Sequence, residues 1–432
     1  FTSSETAELG DYDVRVKVTD SDDDTSSWST YNDNFTLKMG PEWSYTHSHD
    51  VMSVAFSSDG EYMVSGSKDD KVSLFSKDSG TPLWSYTTGH NVYSVAISGD
   101  GEYIVAGSDD NKVYLFDKDS STPEWSYNTG DDVRGVAISE DGEYIVAGAY
   151  NAKVYFFNKD SSTPLWTYDT GNLNVECVDI SADGDYIVTG GEDNKVRLFG
   201  KDSSTPQWTY STGGKIREVA ISADGEYVTA ASNDYKVYLF DKDSSTPVWS
   251  YNTNYNVQSV SISADGEYIA AGGNSDNAYF FDKDSSTPLW YYTAAQSIRT
   301  VSVSADGKYL IAGSSDDKIY FFDKSSNVPL WNYTTGNDVD AVDISADGKY
   351  IAAGSFDDKA YIFRNGFADR PLVIPYGPGD GTELESVILR WFAGSDDRSN
   401  LTFDVYLGTS SNPTTLVAND TSALSYTPSG LV

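Results

Sequence analysis

Few of the residue types that build reactive centres occur in this sequence. Cysteine appears once, at Cys177, and histidine three times, in 432 residues. A single thiol permits no internal disulfide and no thiolate metal site. Cys177 lies inside the strand-like run Val175 to Ile180 and reads as a small buried hydrophobe. Basic residues are also scarce: 29 Lys and Arg stand against 66 Asp and Glu, a formal charge of −37. Phosphate recognition needs clustered cations, so neither nucleic acid nor an anionic membrane is an expected partner. No stretch approaches the roughly 18 apolar residues of a membrane span, so no direct membrane insertion is expected of this segment. The acidity suits a surface exposed to salt or divalent cations, and more simply the solubility of an exposed, abundant protein. No signal peptide is visible, but Phe1 opens inside a strand-like pattern, so the gene product is expected to begin earlier.

What is present is repetition. Asp-Gly pairs start at Asp59, Asp100, Asp141, Asp183, Asp224, Asp265, Asp306 and Asp347. Tryptophans fall at Trp43, Trp84, Trp125, Trp166, Trp208, Trp249, Trp290 and Trp331, and both series step by 41 residues with one step of 42. A period near 40 without helical periodicity predicts a β-propeller. Each unit reads as four short strands, like Val92–Ser98, Tyr103–Gly107, Lys112–Phe116 and Glu124–Tyr127. The inner runs lack clean alternation, as expected of strands covered on both faces. Ser-x-Asp-Gly makes the first turn, an Asp-rich segment the second, and "DKDSSTP" the third. The last unit ends at Lys359–Phe363 with no tryptophan strand after it, whereas Trp43 precedes the first unit. Glu42–Tyr45 is therefore expected to supply the outer strand of the eighth blade and to close the ring.

"VAISADGEYIVAGS"-type segments resemble the first half of a WD-repeat. "LFDKDSSTPLWSYNTG"-type endings resemble the tryptophan docking motif of pyrroloquinoline-quinone (PQQ) enzymes, which are also eight-bladed. Together these resemblances cover about residues 42–366. Of the WD signature, only Gly89–His90 is similar to the Gly-His pair, and Phe116–Asp117 stands where Trp-Asp is usual. Residues 1–40, with alternating Tyr12, Val14, Val16 and Val18, resemble the C-terminal part of a polycystic-kidney-disease (PKD) or immunoglobulin-like domain. Residues 371–432, with Trp391 and Tyr406, resemble the N-terminal part of a fibronectin type III sandwich. The expected fold is all-β: an eight-bladed propeller over 41–366 with partial immunoglobulin-like sandwiches at both ends. Acidic tandem modules of this kind resemble archaeal cell-surface proteins of the surface-layer and adhesin type. That resemblance implies an extracellular glycoprotein, and the sequons Asn34, Asn332, Asn400 and Asn419 agree with it.

Reactive constellations are hard to find. A quinoprotein dehydrogenase, as the resemblance would imply, needs calcium ligands, a base and often a cysteine pair, and no insertion breaks the rhythm to build a pocket. His47 and His49 lie in a loop with Asp50, a candidate metal site weighed against an ordinary solvated loop. "DKDSST" hints at a calcium loop, but its first position holds Gly in one copy, at Gly200, and no distal Glu follows. Better candidate calcium ligands are Asp20, Asp22 and Asp24 and the pair Asp396 and Asp397, near the module junctions.

Near-identical units expose the positions that differ. The residue opening the first strand is Met52, Tyr93, Arg134, Glu176, Arg217, Gln258, Arg299 or Asp340. The residue after the second strand is Lys68, Asp109, Tyr150, Glu192, Asn233, Asn274, Ser315 or Phe356. A four-stranded meander places both sites on one face of the ring. Arg- and Tyr-rich variety there is expected of a surface recognising a protein or a glycan, while drift at unconstrained loop tips would look similar. Replacing Arg134, Arg217 and Arg299 by Ala is then expected to spare stability. The function expected is a non-enzymatic cell-surface structural or adhesive protein, with self-association into a lattice or filament as one form of partnership. A quinoprotein-like propeller enzyme and a WD-type interaction scaffold are the alternatives.

Overall fold

The computed structural model describes residues 40–171 and 173–365, together with the strands Arg15–Thr19, Leu389–Arg390, Thr402–Leu407, Thr415–Thr421 and Ser425–Tyr426. The chain divides into two units, Met39–Arg364 on one hand and Phe1–Lys38 with Asn365–Val432 on the other.

The larger unit is an eight-bladed propeller of four-stranded antiparallel sheets. The first strands of blades 1 to 8 are Val51–Phe56, Val92–Ile97, Val133–Ile138, Val175–Ile180, Ile216–Ile221, Val257–Ile262, Ile298–Val303 and Val339–Ile344. Each touches the next, and the eighth touches the first, so these strands are innermost and line the ring. Closure follows the tryptophan series: Trp43–Thr46 pairs with Lys359–Arg364, Trp43 opposite Ile362 and Thr46 opposite Lys359. The strand begins one residue later than Glu42, whose amide still bonds the Ile362 carbonyl at 2.7 Å.

The core lies between blades. Second and third strands, such as Tyr103–Ser108 and Lys112–Asp117, are buried along almost their whole length, which is why their sequences do not alternate. Outer strands do alternate: Trp249 and Tyr251 turn inward while Ser250 and Asn252 face solvent. Each tryptophan packs on the next blade's phenylalanine, as Trp249 does on Phe281 with ring centroids 5.3 Å apart. For the seven tryptophans from Trp43 to Trp290, the indole N–H donates to the backbone carbonyl of the lysine in that blade's third turn, Trp43 to Lys77 at 2.8 Å and Trp249 to Lys283 at 2.7 Å. A tryptophan therefore needs the neighbouring turn to keep its shape.

The Ser-x-Asp-Gly turns are fixed in the same way. Ser222 donates its hydroxyl to Asp224, whose carboxylate accepts the Glu226 amide, while Ser222 Oγ accepts the Tyr227 amide. Gly225 adopts φ +74°, and a Cβ there would stand 2.5 Å from the Tyr186 ring of the preceding blade. Backbone bonds then run from turn to turn, Ala182 N to Ala223 O and Ala223 N to Ala264 O, each 3.0 Å. The face carrying these two turn types is monotonous because it is stitched together.

In the smaller unit, Arg15–Thr19 pairs antiparallel with Thr402–Leu407, Val16 opposite Val405 and Val18 opposite Phe403. Thr402–Leu407 pairs in turn with Thr415–Thr421, the strand that contains Asn419. The candidate calcium ligands Asp20, Asp22, Asp24, Asp396 and Asp397, and the sequons Asn34 and Asn400, lie outside the described residues. Asn332 is exposed on an outer strand, on the side opposite Trp331.

Candidate functional site

The individual residues of each unit sit where the ladder is interrupted. First and second strands pair regularly except at one point: Val92 faces Ser108 and Ser94 faces Gly107, with Tyr93 squeezed out between them. The same shift brackets Met52, Arg134, Glu176, Arg217, Gln258, Arg299 and Asp340. Every residue of the first variable series is thus a β-bulge. A bulged residue is released from pairing and its side chain is re-aimed, so eight side chains are offered at the mouth of the ring.

The second series lies beside the first. The amide of Asp109 bonds the carbonyl of Asn91, that of Tyr150 the carbonyl of Asp132, and that of Phe356 the carbonyl of Asp338, each bond 2.8–2.9 Å. This tie brings the second turn against the residue just before the bulged strand. That residue forms a third column, Asp or Asn in six blades, Lys215 in blade 5 and Ser297 in blade 7, which the two-column sequence reading passed over because it varies less.

Two clusters result. Across blades 2 to 5, the Arg134 guanidinium lies over Tyr93 at 3.6 Å and Tyr150 at 4.9 Å. It pairs with Asp109 and Asp132, both at 3.2 Å. Tyr150 donates its hydroxyl to Glu176 at 3.1 Å, and Lys215 reaches Glu176 and Glu192 at 3.3 and 3.4 Å. Burial first, and then the Glu176 charge, pushes the Tyr150 phenol up to about 12, so it stays a donor. Across blades 7, 8 and 1, Arg299 and Lys68 both lie 5.1 Å from the Phe356 ring centroid. Arg299 Nε donates to Asp340 at 2.7 Å, and Lys68 donates to Asp50 at 2.9 Å. Burial pushes the carboxyls of Asp109 and Asp340 up, with Arg134 and Arg299 pulling the other way. Arg217 bonds only Asn233, at 3.2 Å, and Gln258 bonds Asn274 at 3.2 Å.

The three arginines are therefore not equivalent, which corrects the expectation that all can be removed at no cost. Arg134→Ala removes a guanidinium stacked between two rings and leaves Asp109 without its cation, at a cost of about 2 kcal/mol. Arg217→Ala, losing one partly exposed hydrogen bond, stays within about 0.5 kcal/mol. Urea denaturation of the two variants measures the difference.

Histidine placement also differs from expectation. His47 is turned into blade 1, buried, with Nδ1 3.1 Å from Asp69 and Nε2 3.0 Å from Ser65. It holds the blade together and is not a partner of His49 in a metal site. His90, of the Gly-His pair, lies exposed on the variable face near Asp109. Atoms of His49, Asp50 and Asp358 that could ligate lie within 4.8 Å of one another, but Lys68 occupies the Asp50 carboxylate and His49 Nδ1 accepts the Asp50 amide.

Deeper in the ring, three carboxyls that the sequence reading overlooked line the wall. Asp179 accepts the Ile221 amide at 2.9 Å, Glu218 the Val260 amide at 2.8 Å, and Asp343 the Phe56 amide at 2.8 Å. Ser53 does the same for Val95, and Ser94 for Val136, both at 3.1 Å. These amides belong to the inner edge of the next blade, which no further strand can satisfy, so a short polar side chain from the preceding blade caps them. Burial pushes Asp179 and Asp343 up to about 6 and Glu218 up to about 7.

No curated protein matches the sequence. Among solved structures, the crystal structure of the computationally designed Ika8 protein is similar, with a TM-score of 0.65 at 15% identity, covering 75% of this chain and 99% of that one. At that identity the likeness concerns the fold. Residues 13–172, 68–222 and 192–379 each match the PQQ_2 family, described as outer membrane protein assembly factor BamB. Those overlapping matches span the whole propeller, and the chain belongs to this PQQ-like repeat family.

Proposed function

We propose that the protein is a non-enzymatic recognition scaffold at the cell surface, binding a protein or glycan partner through the variable face of its propeller. The observation that carries this reading is the pair of built clusters around Arg134 and Phe356. There, bulged residues from successive blades interlock as arginine, aromatic and carboxylate groups instead of standing apart in solvent. Such groups are preorganised, and Arg and Tyr are the residues that dominate interface energetics. The uniformity of the opposite face has its own packing explanation and lends no weight. The family's description as an assembly factor supports a partner-binding role at an envelope.

An enzymatic reading of the quinoprotein type finds little in the channel wall. Asp179, Glu218 and Asp343 give it negative character and are already bonded to backbone amides, a poor lining for an anionic quinone.

The test compares binding of the full chain to isolated envelopes of the cells that make it. Met52→Glu, Arg217→Glu and Gln258→Glu together alter the face without touching either built cluster. Binding is expected to weaken at least tenfold, while Ser121→Glu with Ser286→Glu on the opposite turns leaves it unchanged. Equal binding by both variants would defeat the proposal.

A further inference from the structure

The outer rim departs most from its repeat in blades 6 and 7. The residue after each outer-strand tryptophan is Ser44, Ser85, Ser126, Thr167, Thr209 and Ser250, and then Tyr291 and Asn332. The third turn reads Ser-Thr before its proline in most units, but Asn327–Val328 in blade 7. Two of these departures, Tyr291 and Asn327, meet. Tyr251, Thr287, Leu289, Tyr291, Thr293 and Asn327 frame an open, shallow cleft of about 610 Å³. Tyr291 keeps 52% of its surface exposed and Leu289 53%.

The lining chemistry is specific. Tyr251 and the exposed Tyr291 line it, and the buried Tyr279 beneath holds both, with ring centroids 5.5 Å from Tyr251 and 6.0 Å from Tyr291. Beside them stand two threonine hydroxyls and the Asn327 amide. In a protein of net charge −37, no charged side chain lines this cleft. An exposed tyrosine ring with neutral hydrogen-bonding groups beside it fits a neutral polyhydroxylated ring.

An added peptide strand fits less well. The Ala294 amide bonds the Asp276 carbonyl, which places the ladder bonds on even-numbered residues and turns the Tyr291 N–H and C=O to the open edge. Asn327 Nδ2 already donates to that Tyr291 carbonyl at 3.1 Å, covering the acceptor that strand addition would use. The Asn327 Oδ1 is left as an acceptor for a ligand hydroxyl. Every blade has an open outer edge, so edge pairing would not explain why one rim position alone is aromatic.

We propose that this cleft is a binding site for a neutral saccharide, one pyranose ring stacking on Tyr291 and its hydroxyls bonding Thr287, Thr293 and Asn327. The site is separate from the variable face and stands or falls independently of it.

The experiment titrates the full chain with neutral hexaoses of glucose, mannose and N-acetylglucosamine, read by intrinsic fluorescence and by saturation-transfer NMR. At least one hexaose is expected to bind. Tyr291→Ser, which restores the residue of other blades and should fold normally, weakens that binding at least tenfold, and Asn327→Ser weakens it about threefold. Arg217→Glu on the variable face leaves it unchanged. The proposal is overturned if no hexaose binds at millimolar concentration, or if binding survives Tyr291→Ser. It is also overturned if Tyr291→Ser instead abolishes self-association in the ultracentrifuge, which would make the cleft a contact between copies.

Discussion

A chain lacking residues 41–46 is expected to lose on the order of 5–8 kcal/mol of stability, enough to unfold many domains of ordinary stability. The six residues include the strand that completes blade 8. Trp43 packs against Phe75 with centroids 5.2 Å apart and bonds the Lys77 carbonyl, and Tyr45 meets the same Phe75 ring at 5.2 Å. Losing a fully buried Trp costs about 3–5 kcal/mol; Trp43, partly buried, falls toward the lower end, and Tyr45 and the ladder bonds to Lys359–Arg364 go with it. The deletion also bares the Lys359–Arg364 edge, so aggregation should accompany unfolding. Thermal melting with light scattering measures both. A deleted chain that melts like its parent would mean that Trp43–Thr46 does not hold the ring.

The second large effect is a loss of stability with rising pH. Glu218 titrates near 7 when folded against an ordinary 4.5, and Asp179 and Asp343 near 6 against 3.8. Because the folded state holds these protons more tightly, folding is favoured most below the ordinary values. Stability then falls as pH rises through the 4–7 window and stays low above it. Each tenfold gain in proton affinity on folding is worth about 1.4 kcal/mol when the group is fully shielded from water. The three groups keep part of their surface exposed to solvent, so about 4 kcal/mol in total is the expected change. The combined variant Asp179→Asn, Glu218→Gln and Asp343→Asn should flatten most of the slope between pH 4 and 8 in urea denaturation, since each amide keeps one oxygen for the neighbouring blade's N–H. An unchanged slope would assign the effect to the acidic surface.

The architecture could be read in advance where a local residue does a repeated job. Each tryptophan docks on the next blade's phenylalanine, seven of the eight also bonding its lysine turn, and each Asp-Gly pair closes a turn, so both recur at the blade period and reveal blade number and closure. The bulge was legible but unread: in Val51–Phe56 the buried positions are 51, 54 and 56, and the three-residue step breaks the strand's period of two. Histidine roles were harder, because His47 and His90 belong to different columns and only burial tells them apart. The wall carboxyls escaped notice because Asp179, Glu218 and Asp343 stand where other blades have small residues (Ser, Ala, Thr, Gly or Cys), and their purpose depends on an amide of another blade, 42 residues on for Asp179 and Glu218.

Hydroxyl-radical footprinting of the full chain, free and bound to isolated envelopes of the cells that make it, tests the recognition claim most directly. Met52, Tyr93, Tyr150 and Phe356 on the variable face should be protected on binding, while Leu83, Leu165 and Val248, exposed beside the opposite turns, keep their free reactivity. Protection of those leucines and the valine, with the four face residues unchanged, would contradict it.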